Sequence, residues 1–175
     1  MGRRHMKKVP QNGTVASHER YLYRGYLQIA ALNMLDNRNV LRTLLWDPLE
    51  PVATRPLALV QDASLYCYGV DFNKNVSEVF DAQGTIAAAY DYSPYGAVTG
   101  TGSLGQPVQW SGEMHDEELA LVYYNYRYYN PKDGRWINRV QSLQKEDGIC
   151  MGLLIMKWYS LLIISEKKLT NLATQ

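Results

Sequence analysis

The residues predict an all-β protein built as an antiparallel hairpin meander, and three observations carry that expectation. Fourteen Tyr and 4 Trp stand against only 2 Phe. Tyr favours half-buried pleated surface, where its ring packs and its hydroxyl finds a partner. Between Leu65 and Gly96, short apolar runs alternate with polar residues, the period-2 pattern of strands with one covered face. Asx- and Gly-bearing clusters punctuate those runs at short intervals, which is the chemistry of tight turns.

Residues 1–17 read as a disordered leader. The basic start (Arg3, Arg4, Lys7, Lys8) is short and lacks interleaved aromatics, so it is expected to be a solvated tail. No apolar run follows it, so no secretory signal is visible. Residues 18–46 hold strand-like pieces at 21–23, 25–30 and 40–46, with a turn at Asp36-Asn37-Arg38-Asn39, because short polar side chains cap their own backbone and tolerate left-handed dihedrals. Pro48, Pro51 and Pro56 make 47–56 a loop and exclude a central strand there.

The most regular stretch follows. Strands are expected at 65–68, 76–80 and 85–92, with turns at 71–75 and 81–84, Gly84 supplying the positive φ of a bulged hairpin. Ser93-Pro94-Tyr95-Gly96 ends the last of them. Residues 100–107 read as a flexible connector. Residues 121–129 read as one strand with aromatics on both faces, and 130–134 as its turn.

At this point the residues resemble a known family. Tyr68-x-x-Asp71, Asn75, Asp81-x-x-Gly84 and Tyr90-x-Tyr92-x-Pro94-Tyr95-Gly96 look like one YD repeat, with Ser93 where the family usually has Asp. The block from Trp110 through Tyr123-Tyr124-Asn125-Tyr126-Arg127-Tyr128-Tyr129-Asn130-Pro131 to Gly134-Arg135-Trp136 resembles the Rhs repeat-associated core. The resemblance covers roughly residues 19–139. It implies a segment of a hollow β shell of the kind found in Rhs proteins, teneurins and insecticidal toxin-complex subunits. A complete parent would then encase or display a variable C-terminal effector, often a toxin. Its partners would be the rest of the shell and that effector. Such proteins are typically exported or held at the cell surface. Each hairpin buries too little alone, and stacking on neighbours makes a continuous wall.

Past Arg139 the chain departs from the family, which continues Asp-Pro-Ile where this sequence has Val140-Gln141-Ser142. Reading the third base of each codon with the first two of the next, with a choice among permitted codons, can give the family ending. Met151-Gly152 forces Gly, Met156-Lys157 forces Glu, and Trp158-Tyr159 forces Val. Loss of one base from an Asp codon explains both the departure and the apolar tail. Residues 140–175 are therefore expected to be out of frame, functionally empty, and irregular or helical. Its apolar run is shorter than the roughly 20 residues of a spanning helix, so no membrane span is expected.

Chemistry-bearing motifs are weighed against plainer readings. Gly100-x-Gly102-x-x-Gly105 fits a dinucleotide fingerprint but lacks the flanking strand and helix that would aim a helix N-terminus at a pyrophosphate. Asp116-Glu117-Glu118 is read as solvated turn residues. His5, His18 and His115 form no ligand spacing, and Cys67 and Cys150 form no metal or disulfide pattern, each reading as a small buried hydrophobe. No cofactor is expected, and the net charge of +1 gives no nucleic-acid footprint. The family's self-cleaving aspartyl activity needs two carboxylates sharing a proton. Of its motif only Arg139 remains, with Val140 replacing the adjoining Asp, so no intact catalytic residue and no enzyme activity is expected. The alternative reading is an aromatic-rich module that binds carbohydrate, which would leave its rings exposed together in a groove.

Overall fold

The computed structural model describes residues 3–49 and 54–137. Those residues form two antiparallel sheets and one short 3-10 turn. The first sheet contains β1 (Met6–Gln11), β2 (Thr14–Arg24), β3 (Leu27–Asn33), β4 (Val40–Trp46), β5 (Pro56–Gln61), β6 (Ser64–Val70), β7 (Val76–Phe80), β8 (Ile86–Tyr92) and β9 (Val98–Gly102), each beside its sequence neighbours. The second contains β10 (Met114–Asp116), β11 (Leu121–Tyr124), β12 (Arg127–Asn130) and β13 (Arg135–Trp136), with the 3-10 turn Trp110–Gly112 leading into it. The expected meander is what the chain forms.

Its longer turns repeat one device. Asp71 Oδ1 accepts from the backbone N–H of Asn73 and Asn75, both at 2.8 Å, and the Asp71 N–H donates to the Asn75 carbonyl at 3.0 Å. Asp81 does the same with Gln83 and Thr85, and the Ser93 hydroxyl accepts from Ala97 N–H at 3.0 Å. A carboxylate or hydroxyl thereby satisfies turn donors that no strand can reach. Three residues into each turn the backbone is left-handed, at Lys74, Gly84 and Gly96.

The two-residue turns are Asn12-Gly13, Gly25-Tyr26, Asp62-Ala63 and Asn125-Tyr126. Asp62 and Ala63 both have positive φ, 50° and 59°, a type I′ geometry that favours Asp-Gly. Ala63 is exposed, so its Cβ contributes strain and little packing. Ala63→Gly should stabilise the fold by about 0.5–1 kcal/mol, the left-handed penalty outweighing the entropy of the added glycine, as read by the urea midpoint at unchanged slope.

Register shifts interrupt six of the eight pairings in the large sheet, between β1 and β2, β2 and β3, β3 and β4, β4 and β5, β6 and β7, and β7 and β8. Bulges of this kind bend a strand and sharpen its twist. The result is a curled sheet. Nine strands laid flat would span roughly 40 Å, yet Arg4 at one end and Tyr95 at the other both bond the small second sheet. Leu44, Leu59, Val76, Val79 and Ala88 line the covered face and pack with Val108, Met114 and Tyr123 of the segment that fills the curl.

Several expectations need correction. The leader is not disordered over its described residues: β1 and the first part of β2 pair from Met6↔Arg20 to Gln11↔Thr14 around Asn12-Gly13, a hairpin signal present in the sequence. Residues 121–129 are two strands, β11 and β12, folded back at Asn125-Tyr126 with Tyr123 opposite Tyr128. One strand could not have covered both aromatic faces, and a hairpin stacks the rings on each other. Gly100 and Gly102, assigned to a flexible connector, belong to β9. Cys67, opposite Ala58 in the β5–β6 pairing, is exposed rather than buried. Pro56 opens the central strand β5, at the one position where a strand tolerates it. Residues 140–175, with Val140 and Cys150, lie outside the described residues, as does Arg139.

Candidate functional site

The second sheet and its lead-in, residues 106–136, form a plug held inside the curl, and most of the motif residues meet there. Two buried hydrogen-bond systems seat it. The Gln106 amide accepts from Val108 N–H at 2.8 Å and donates to the Val108 carbonyl at 2.6 Å, closing its own loop. The Tyr68 hydroxyl donates to the same amide oxygen at 3.0 Å, and burial pushes that phenol's pKa up. Asn75, buried beside Val76, accepts from Ser111 N–H at 2.8 Å while its amide donates to Asp71 at 2.8 Å. Val76 N–H donates to the Gln109 carbonyl at 3.1 Å, so β7 bonds the plug directly. Tyr92 donates to the Val76 carbonyl at 2.7 Å and tilts against Trp110 at 5.6 Å between centroids.

Glycine allows the close approach. Gly96 has φ of 84°, and a Cβ there would fall within 2.8 Å of the Trp110 ring. Gly112 has φ of 66°, and a Cβ there would land on the Thr54 carbonyl. Pro94 and Pro131 stand at turns, with Pro131 buried and followed by the left-handed Gly134 against the Tyr95 ring. The Tyr129 hydroxyl reaches the Tyr95 carbonyl at 2.8 Å.

Aromatic rings close the far side. Tyr124 meets Tyr129 and Trp136 edge-on at 6.4 and 5.0 Å, Tyr123 meets Tyr128 at 5.2 Å, and the Arg127 guanidinium lies 3.8 Å above Trp136. Each such pair adds about 0.5–1.5 kcal/mol beyond its area. Tyr123 is buried, while Tyr126 and Trp136 remain 47% and 40% exposed and Arg135 is exposed. Tyr90 stands on β8 above the cleft described below.

The N-terminal residues and Asp116 were the features that sequence reasoning missed. Asp116 is 2% exposed, not a solvated turn residue. Arg4 pairs with its Oδ2, and Lys7 Nζ lies 2.9 Å from its Oδ1 while also reaching Glu118. Burial would raise the Asp116 carboxyl, but Lys7 and Arg4 bring it below the ordinary carboxylate value. Arg4 also donates from its backbone to the Tyr123 hydroxyl at 2.6 Å and stacks over Tyr21 and Tyr123. Arg3 lies over Tyr23, Tyr26 and Tyr126. A cation three residues from a chain start carries no sequence signal that it will meet a carboxylate 112 residues away.

Glu113 has the opposite environment. It lines a pocket of about 420 Å³ with Thr54, Lys74 and Ser111. Burial pushes its carboxyl up to about 8, against a small opposing hydrogen bond from Thr54. A raised carboxyl stabilises the fold fully below its unfolded value of about 4.5 and loses that contribution as pH rises toward 8. Glu113→Gln should thus leave stability unchanged near pH 4 and raise it by on the order of 2–4 kcal/mol at pH 8. Denaturant titrations at the two pH values check this. Among the described residues no cluster of His, Cys, Asp and Glu fits a metal ion, and no helix is long and apolar enough to cross a membrane.

No family model matches the chain. Two curated relatives are toxins. Double-stranded DNA deaminase toxin A of Burkholderia cenocepacia is 34% identical over 68 residues, 35% of this chain and 5% of that protein. Toxin protein Tse5 of Pseudomonas aeruginosa is 47% identical over 34 residues, 19% of this chain and 3% of that protein. The chain thus spans only a few per cent of the length of these relatives. Among solved structures, TcdB2-TccC3 matches with a TM-score of 0.58 at 20% identity, over 81% of this chain and 7% of that one. The Photorhabdus luminescens Tc holotoxin pore matches at 0.60 and 21%, over 83% and 7%. At that identity the likeness is one of fold: a curled antiparallel meander is shared with Tc toxin subunits.

Proposed function

We propose that this chain is a segment of an Rhs-type shell, whose parent encases or displays a variable C-terminal effector. One observation carries the reading: the strands bearing the YD-type residues curl around the tyrosine-rich block and bond it at both ends, through Arg4–Tyr123 and Tyr129–Tyr95. Similarity to toxins at the sequence level and to Tc subunits in fold supports the same role. The carbohydrate reading needs rings exposed together in a groove. Here Tyr123, Tyr124, Tyr128, Tyr129 and Trp136 are spent on one another. A graft tests the proposal. Residues 3–137 replace the matching stretch of a Tc subunit, and protease protection of its enclosed segment is measured. Retained protection is expected, and cleavage of that segment by added protease overturns the reading.

The chain itself is proposed to be inactive, with the frame lost at Val140 and the self-cleaving motif with it. Truncation after Asn138 should leave the unfolding free energy of the β body, from urea titration, within about 0.5 kcal/mol of the full chain. Restoring one base at codon 140 should return Asp-Pro-Ile. Unfolding of the body on truncation, or an intact reading frame in independent genomic reads, would show the tail to be genuine.

A further inference from the structure

A second cavity lies on the plug, away from Glu113. It is a cleft of about 620 Å³ rimmed by β9 and residues 103–107 on one side and reaching Arg4, Lys7, Tyr21 and Arg42 on the other. That volume falls within the roughly 300–1,000 Å³ of built ligand sites. Its walls contain polar atoms with nothing to bond. Gln28 and Gln109 are 3% and 9% exposed, both line the cleft, and the Oε1 of each has no partner. The Nε donors of Arg4 and Arg42, also in the cleft wall, are likewise buried without a partner. An unsatisfied buried polar atom costs about 1–3 kcal/mol, so two acceptors and two donors around one space are a costly arrangement unless something fills it.

The rim supplies a direction. β9 is the last strand of its sheet, paired with β8 alone, so its other edge presents unpaired backbone N–H and C=O groups among the described residues. Val98, Gly100, Thr101 and Gly102 of that strand all line the cleft. Its cations are already matched: Arg42 grips Glu19 and Lys7 reaches Glu118, while Arg4 is held by Asp116. Among the described residues no lining cation is left to select an anionic ligand, and Glu117 in the same lining disfavours one. Mixed donors and acceptors, matched cations and an open strand edge together describe the needs of a peptide backbone.

We propose that this cleft binds an extended, uncharged polypeptide segment, which adds to β9 as a tenth strand and presents its amides to Gln28 and Gln109. β9 has five residues, so the bound segment would run about 17 Å.

The test uses the full chain and a fluorescent capped pentapeptide, acetyl-Thr-Gly-Thr-Gly-Thr-amide, followed by anisotropy. Saturable binding is expected, with perturbation of the β9 backbone amides in NMR spectra. The same peptide N-methylated at alternate residues should fail to bind, because it cannot complete a ladder. The double substitution Gln28→Leu, Gln109→Leu should weaken binding at least tenfold while thermal stability holds or rises, since it removes unsatisfied acceptors. Equal binding of the N-methylated peptide to the unaltered chain would overturn the proposal. So would displacement by maltohexaose, which would make the cleft a sugar site, or no saturation up to roughly 1 mM.

Discussion

Replacing Asp116 with Ala should lower the unfolding free energy by about 3–5 kcal/mol, because it leaves two cations beside the plug without their buried partner. Arg4 and Lys7 converge on a carboxylate whose side chain is only 1% exposed, and both cations are themselves mostly covered. Urea unfolding followed by Trp and Tyr fluorescence measures the loss. Replacing the whole group with apolar residues (Asp116→Leu, Arg4→Met, Lys7→Met) should recover most of it, since the cost lies in unpaired charge and not in lost packing. The pH dependence has a definite sign. The folded carboxyl lies below its ordinary value, so its contribution is present above about pH 3.9 and is lost as the pH falls through the folded value. The native chain should weaken on acidification there, and the Ala variant should lose less. A change under about 1 kcal/mol would place Asp116 in solvent.

Gly112→Ala should be comparably severe, at about 3 kcal/mol or more. A left-handed φ costs a residue with a Cβ about 1–2 kcal/mol. The added atom would also meet backbone: the carbonyl group of Thr54, with the Lys74 carbonyl 3.4 Å away. Backbone held by two flanking strands cannot swing aside as a side-chain tip can, so the plug must lift, which loosens the Thr54–Ser111 and Asn75–Ser111 hydrogen bonds at 3.0 and 2.8 Å. Gly13→Ala separates the two contributions. Gly13 has φ of 80° with nothing within 4 Å of its would-be Cβ, so it should show the conformational penalty alone. Equal losses at the two sites would mean that the plug yields without cost.

Legibility in the sequence followed the range of the interaction. The Asx turns at Asp71 and Asp81 were readable because their donors and acceptors lie within four residues of each other. The alternation from Leu65 to Tyr92 was readable because strand pleat repeats every two residues. Even the missed β1–β2 hairpin was local, its Asn12-Gly13 turn lying within the segment read as a leader. The tyrosine block was recognised as a unit, but its fold at Asn125-Tyr126 depends on rings stacking across a turn, which a count of aromatics on two faces does not distinguish from a single covered strand.

The residues themselves determined a meander, its turns and the block that resembles an Rhs core. Tertiary structure alone decided the rest. Bulges spread over six pairings curl the sheet until its two ends meet one plug, and only then does Arg4 reach Asp116, Gln28 share a cleft with Gln109, and Glu113 lose its water. Burial and charge pairing between residues more than a hundred positions apart arise from chain path, and chain path is a sum of small local bends whose total no single motif encodes.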